Sequence, residues 1–300
     1  MFRKFRLANS FREVIGLFLI DLCPQLMSER LWLETTYLRW THQHLDLDHP
    51  KTFNEKLQWI KLYDRNPLYT TLVDKEKVKS WVAEKIGEQY VIPTLAVYSS
   101  EIQLNRGGGL PEKFVVKCNH DSGSVLICKD IENFDFEVAQ QHFHKKLRYD
   151  CSAVCGEWAY KNVIPKIIVE PLLEDKSGEA LMDYKWFCFN GEPKIMYMCR
   201  DKGANPTTDF FDMDFNRLPI RIQDPPSAVC PQKPEQFDEM KRLAAILSEN
   251  IPEVRVDFYL VDGKIYFGEM TFYHLGGMTQ VQPYEWNLKM GEMIYLPCDE

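Results

Sequence analysis

A chain of 300 residues, 45% hydrophobic and 27% charged, is long enough to bury a core and has the composition of a soluble globular protein in two or three lobes. Its net charge of -8 argues against a nucleic-acid binder but leaves room for a local cationic pocket for a small polyanion. The nine cysteines include no Cys-x-x-Cys pair, so they suggest no zinc framework and fit reduced thiols in a cytosolic protein.

Arg3, Lys4, Arg6 and Arg12 precede an apolar run at 14–20 that is too short to span a bilayer and is followed by no small-x-small cleavage site. Residues 1–23 read as a helix packed on the main body or as a basic amphipathic helix on an anionic membrane surface. A helix is expected over 28–41, with Leu31, Leu33, Tyr37, Leu38 and Trp40 as apolar surface. His49-Pro50 breaks the chain. Residues 52–63 form the next helix, where Thr52 and Glu55 have capping-box spacing and Phe53, Leu57, Ile60 and Leu62 recur with helical period. A further helix covers 74–85, residues 91–98 are strand-like, and the glycine-rich loop 105–111 is the expected domain boundary.

Residues 114–118 read as a short buried strand carrying Lys117. It runs into the polar loop 119–124 and a second strand at 125–128. A lysine at a strand end before a glycine loop is a phosphate-cradle arrangement, in which backbone N–H groups and one ammonium meet a polyanion. The loop lacks P-loop spacing, and an ordinary hairpin turn is the plain alternative. His120 is a structural or a catalytic loop residue. A helix at 137–149, a strand at 166–170 ending in Pro171-Leu172, and a hairpin around Asn190-Gly191 follow. The stretch 200–236, rich in Pro, Asp and Asn, reads as a loop or lid, and 239–248 as the last helix.

Two strands then flank Asp262-Gly263, and they carry three charges where a plain hairpin would have none: Arg255, Asp257 and Glu269. A two-residue turn would pair Val261 with Lys264 and put Asp257 and Glu269 on opposite faces. A three-residue turn pairs Leu260 with Lys264, sets Arg255 opposite Glu269, and gathers Arg255, Asp257, Glu269 and Thr271 on one face. The second register is the one expected. Two carboxylates and a hydroxyl on one rigid face suit a hard cation that bridges phosphates, while a plain cross-strand ion pair is the bland reading of the same residues.

The order of these elements resembles the ATP-grasp superfamily, an α+β fold whose two lobes close on ATP and two Mg2+ ions. More closely, the motifs at 49–56, 61–67, 117–120, 156–158, 183–191 and 268–273 resemble the TupA-like ATP-grasp family from about residue 45 to the C-terminus. The resemblance implies an N-terminal helical extension at 1–50, a helical and strand region at 51–110, a small lobe at 111–175 and a large lobe with the metal-binding hairpin at 176–300. It implies that Lys75 and Lys117 hold the α- and β-phosphates, and that Asp121, Ser122, Gly123 and Ser124 close over them. Glu170, Pro171 and Leu172 would form the hinge that reads adenine, and Asp183 would bind ribose. Asp257, Glu269 and Thr271 would hold magnesium, and Arg255 and Lys117 would be catalytic. Lys185 and Arg200 are further phosphate contacts. Two positions depart from the pattern: Thr271 stands where many members have Asn, and Asp121 replaces a glycine and brings negative charge near the phosphates.

The activity so implied is ATP-dependent carboxylate–amine ligation through an acyl phosphate, joining an amine or amino acid to a sugar acid in cell-surface polysaccharide biosynthesis. The setting would be cytoplasmic, with residues 1–23 as the point of any contact with the inner face of the membrane. Three other classes remain. Asp212-x-Asp214 has the spacing by which glycosyltransferases hold a nucleotide-sugar's cation, although a solvated acidic turn explains it as well. An ATP-grasp kinase of a sugar hydroxyl would share the same site, and a non-catalytic binding module would share only the fold.

Overall fold

A computed structural model describes residues 8–177, 181–200 and 205–297. Arg3, Lys4 and Arg6, and residues 201–204 of the expected lid, lie outside the described residues.

Helices α1 (Phe11–Leu22), α2 (Glu29–Thr41) and α3 (Phe53–Tyr63) each start at a side-chain cap. In α3 both halves of the capping box form. The Glu55 N–H donates to Thr52 Oγ1 at 3.2 Å, and the Thr52 N–H donates to Glu55 Oε2 at 2.9 Å. The buried face of α3 places Phe53 edge-on to Phe187 and Phe189, at 5.8 and 6.2 Å. The helix expected over 74–85 begins only at Val78, as α5 (Val78–Ile86), and a turn separates it from a further short helix, α4 (Leu68–Val73). The buried Asp74 makes that turn by accepting the N–H groups of Glu76 and Lys77 at 2.9 and 3.3 Å.

Strands β1 (Ala96–Tyr98), β2 (Phe114–Cys118), β3 (Leu126–Cys128) and β4 (Ile167–Pro171) form an antiparallel sheet in the order β1-β4-β2-β3. Pro93, with no N–H to donate, stands in the part of 91–98 that does not pair. Helix α6 (Phe136–Lys146) lays Ala139 and Phe143 on this sheet beside Leu104, Phe114 and Val169. The loop 105–111 is therefore not a boundary between bodies. It joins two strands of one sheet, and Leu104 just before it is fully buried in that sheet's core. The short α7 (Cys151–Cys155) precedes β4.

The second sheet takes β5 (Asp183–Phe189), β6 (Glu192–Arg200), β7 (Thr207–Phe211), β8 (Arg217–Leu218), β9 (Glu253–Val261) and β10 (Lys264–Thr271). Its order is β10-β9-β5-β6-β7-β8, antiparallel throughout. The stretch 200–236 is thus only partly irregular. Its Pro- and Asp-rich flanks hid a five-residue strand, whose Phe210 and Phe211 are buried against β6 at about 1.5–3 kcal/mol each.

Helix α8 (Phe237–Leu247) covers one face of this sheet, where Phe237 lies 4.9 Å from the fully buried Trp186 and near Val254, Val256 and Phe258. The other face carries Asp183, Lys185, Phe187 and Phe189 from β5, directly opposite Tyr259, Asp257, Arg255 and Glu253 of β9. Helix α9 (Tyr284–Glu292) packs on α3 so closely that a Cβ on Gly291 would lie 2.0 Å from the Lys51 carbonyl oxygen. Cys118, Cys128 and Cys188 are buried free thiols. Among the described residues no helix is long and apolar enough to cross a membrane.

Candidate active site

The site is built on the β9–β10 hairpin, and its register differs from the one expected. Val261 pairs with Lys264 across Asp262-Gly263, both residues left-handed at φ 50° and 76°. That is the two-residue turn whose twist matches the flanking strands. A regular ladder from this turn would separate Asp257 from Glu269. Instead the pairing shifts between Phe267 and Glu269, so that Gly268 is an extra, bulged residue. Glu269 then stands opposite Asp257, and Thr271 opposite Arg255. All four side chains share one face after all. A side chain at Gly268 would press on the Tyr259 ring at 3.1 Å and the Asp257 carbonyl oxygen at 3.2 Å.

Arg255 is the hub of that face. Its guanidinium donates two bonds to Asp257, both 2.7 Å, and one each to Glu269 Oε1 (3.0 Å) and Thr271 Oγ1 (2.8 Å). A fifth is donated to Nδ1 of His274 at 2.9 Å. Burial, then the neighbouring cations Arg255 and Lys185, push the His274 pKa well below its usual value, so its ring is neutral and can accept. Lys185 pairs with Asp257 and lies 3.5 Å from Asp183. Burial alone would lower the Lys185 pKa, but Asp257 carries it above the usual lysine range. Burial would likewise raise Glu269, yet Lys75, Arg255 and Lys185 together hold its carboxyl at about 2.

A second charged group lies where the α4–α5 segment meets the smaller sheet. Lys75 donates to the Asp121 carbonyl at 2.7 Å and reaches Glu269 Oε2 at 3.6 Å, so it spans from the glycine loop to the hairpin. Lys117 pairs with one oxygen of Glu170 at 2.7 Å, and Lys79 with the other at 2.6 Å. Lys79 was missed in the sequence, although it stands one helical turn after Lys75. The fully buried Asn119 locks this corner: its amide donates to Asp74 and to the Ile164 carbonyl, and its oxygen accepts the Lys166 N–H at 2.7 Å.

The glycine loop corrects one expectation. The Asp121 carboxylate does not project toward the loop opening. It is wholly buried, accepts the Ser124 hydroxyl at 2.5 Å and lies 3.7 Å from Lys146. Ser124 in turn accepts the Cys118 N–H at 2.8 Å. Ser122 and Gly123 are exposed at the tip, with Gly123 left-handed at φ 83°. Asp121 is thus a buried brace of the loop.

Pro171 ends β4 opposite Phe114, and Leu172 begins the crossing to the second sheet. That crossing is clasped to the hairpin turn. The Asp262 N–H donates to Asp175 at 2.7 Å, and Asp262 accepts the Lys176 N–H at 3.0 Å. Arg200 ends β6, opposite Thr207 of β7. Asp212 braces a turn between β7 and β8, accepting the N–H groups of Asp214 and Asn216 at 3.0 and 2.8 Å. His120 is buried beside Asp121.

Among the described residues no group of three or more His, Cys, Asp or Glu side chains could hold a metal. Magnesium asks for less, because one or two carboxylates and the phosphates it bridges complete its shell. Asp257 and Glu269, facing each other beside the Thr271 hydroxyl, fit that demand.

This arrangement, two antiparallel sheets that meet across a lysine and a carboxylate hairpin, is accompanied by a match in sequence. The chain belongs to the family described as TupA-like ATPgrasp, whose pattern matches residues 55–295. No curated protein matches it. Among solved structures it is similar to D-alanine–D-alanine ligase from Bacillus anthracis, with 14% identity, coverage of 75% of this chain and 67% of that one, and a TM-score of 0.40. The corresponding ligase from Helicobacter pylori has 11% identity, coverage of 81% and 69%, and a TM-score of 0.42. The VanG D-Ala:D-Ser ligase from Enterococcus faecalis has 12%, 74% and 60%, and 0.44.

Proposed function

We propose that this protein is an ATP-dependent carboxylate–amine ligase. The observation that carries the reading is the single face of Arg255, Asp257, Glu269 and Thr271, met by Lys75 from the turn between α4 and α5. A carboxylate attacking ATP is an anion meeting an anion, so the site has to offset repulsion before bonds change. The acceptor oxygen bonds to the γ-phosphorus, ADP leaves, and an acyl phosphate remains. The amine then attacks the acyl carbon, phosphate departs, and an amide is formed after loss of a proton.

Lys75 and Lys117 would bind the α- and β-phosphates, beneath the backbone of Asp121, Ser122, Gly123 and Ser124. Glu170, Pro171 and Leu172 would face adenine, and Asp183 ribose. Asp257 and Glu269, with Thr271, would hold two Mg2+ ions, which when bound offset the charge of the phosphate oxygens. Arg255, oriented by neutral His274, would neutralise the transferring phosphoryl group, with Lys185 and Arg200 as further phosphate contacts. The exposed tip at Ser122 and Gly123 would exclude water from the acyl phosphate.

The acceptor would be a sugar acid, and the amine an amino acid or related donor, in cell-surface polysaccharide biosynthesis. The enzyme would work in the cytoplasm at the inner membrane face. Support for that face comes from α1, where Phe11, Ile15, Phe18 and Leu22 are 80%, 38%, 54% and 55% exposed at helical spacing. Products decide the reaction. With ATP, Mg2+, glucuronate-type acceptors and a panel of amines, the expected products are an amide, ADP and free phosphate. A stable sugar phosphomonoester would instead make the protein a kinase, and sugar transfer from a nucleotide sugar would make it a glycosyltransferase.

A further inference from the structure

Two of the recurrent motifs, at 61–67 and 156–158, take no part in the nucleotide site. They come together on the other side of α3, where they line a cavity of about 620 Å³ roofed by α1, α2 and the turn between them. The volume is that of a small-molecule site. Ile20, Pro24, Met27 and Leu33 supply an aliphatic wall, and Trp32 and Trp158 supply aromatic ones. Gly156 is left-handed at φ 69°, and a Cβ there would lie 2.9 Å from the Trp32 ring, so glycine is what lets that indole pack as it does.

The polar groups are few and unevenly signed. The charged groups of the lining are Lys61, Arg65, Lys161, Glu29 and Asp150, and its neutral hydrogen-bonding groups are the Ser152 hydroxyl and the indole N–H groups of Trp32 and Trp158. Both carboxylates are engaged locally. Glu29 bonds Arg65 at 2.6 Å, and Asp150 caps α7 through the N–H groups of Ser152 and Ala153. Arg65 also lies over the Trp158 ring at 5.4 Å. A free sugar would need a lining rich in neutral donors and acceptors. An apolar wall with a cationic end fits a different ligand.

We propose that this cavity binds an anionic amphiphile, with its chain along Ile20, Met27 and the two indoles and its phosphate or carboxylate head at Arg65 and Lys161. Leu22 and Leu26, on either side of the lining residue Pro24 in the chain, are 55% and 71% exposed, so apolar surface continues outward from this wall. The cavity floor also connects to the charged hairpin. The buried Lys61 donates to the Gly276 carbonyl at 2.5 Å, in the turn whose His274 accepts from Arg255. An acceptor held by a lipid-like tail here would therefore approach the hairpin from its α3 side. The site itself does not depend on which reaction the hairpin performs.

Titration calorimetry of the full chain with dodecyl phosphate, below its micelle concentration, tests the idea against dodecyl maltoside and inorganic phosphate. Saturable binding of dodecyl phosphate, at least about tenfold tighter than either control, is the expected result. The double substitution Arg65→Ala, Lys161→Ala weakens it about tenfold or more, and Met27→Trp, which fills the wall without touching a charge, removes it. Both variants keep the wild-type response to ATP and Mg2+, which separates this test from the ligase reading. Equal binding of inorganic phosphate, equal binding of the maltoside, or binding indifferent to both variants would each overturn the proposal.

Discussion

One strand face of β5 is used in two ways. Phe187 and Phe189 lie under Phe53 of α3, edge to face and sealed from water. Lys185 and Asp183, one and two positions further along the same face, lie among Asp257, Arg255 and Glu269. Arg255 sits at the seam, opposite Phe187 in the ladder and bonded into the charges. The apolar half is stabilising in any ligand state, because burial needs no partner of opposite sign. The charged half is balanced only as a set, because each buried ion depends on its neighbours for what water no longer provides. Substitutions in the two halves should therefore leave different signatures.

The largest effect is expected from Asp257→Ala. It strips Arg255 and Lys185 of their main counter-charge, so urea unfolding should show a loss of about 3–5 kcal/mol, together with loss of any magnesium-dependent response to ATP. A loss below about 1 kcal/mol, the size of an exposed pair, would mean that the cluster behaves as a surface network. Phe189→Ala should cost about 3 kcal/mol but leave the response to ATP intact, because no charge is disturbed. If the nucleotide response vanished as well, the two halves would not be separable.

Glu253 sharpens the comparison, since it is a carboxyl placed in the apolar half, opposite Phe189. Both its oxygens are buried without a hydrogen bond, and burial pushes its pKa up to about 8 against the pull of Arg255. The folded chain keeps this proton up to about pH 8, while the unfolded chain releases it in the ordinary carboxylate range. Between those limits the native state binds more protons, so stability falls as pH rises. Glu253→Gln removes the titration while keeping the shape. Its melting temperature relative to wild type should climb between pH 5 and pH 8, and a constant difference would refute the assignment. The smallest effect belongs to Asp212→Ala, which loses a turn brace worth about 1 kcal/mol and should leave nucleotide binding unchanged. Loss of nucleotide-sugar binding in that variant would revive the glycosyltransferase reading.

Local rules in the sequence were enough for most helices and most strands. The Thr52–Glu55 box, the Asn190-Gly191 turn and the alternation through 183–189 each specify their own geometry within a few residues. The hairpin shows where such rules stop. Asp262-Gly263 signals the two-residue turn that forms, but nothing local marks Gly268 as a bulge. The need for it comes from the Tyr259 ring and the Asp257 carbonyl on the neighbouring strand. The face shared by Arg255, Asp257, Glu269 and Thr271 was therefore reached through a wrong register. Strand β7 was hidden by flanking prolines and aspartates, because its pairing with β6 is decided by a strand already in place. Asp121 looked like a charge beside phosphates because a sequence does not say which way a carboxylate turns. Ser124, three residues on, was the one hint that it had a partner within the loop. Lys79 was legible in principle from its helical spacing to Lys75, whereas its ion pair with Glu170 joins residues 91 positions apart.

The most direct test of the central claim is a pair of thermal melts, wild type and Glu269→Gln, with ATP and Mg2+ together and each alone. A ligand that binds the folded state raises the melting temperature by mass action. The account predicts an upward shift in wild type that needs both ATP and Mg2+, and its absence in Glu269→Gln. An equal shift in both proteins, or a shift with UDP- or GDP-sugars and none with ATP, would contradict it.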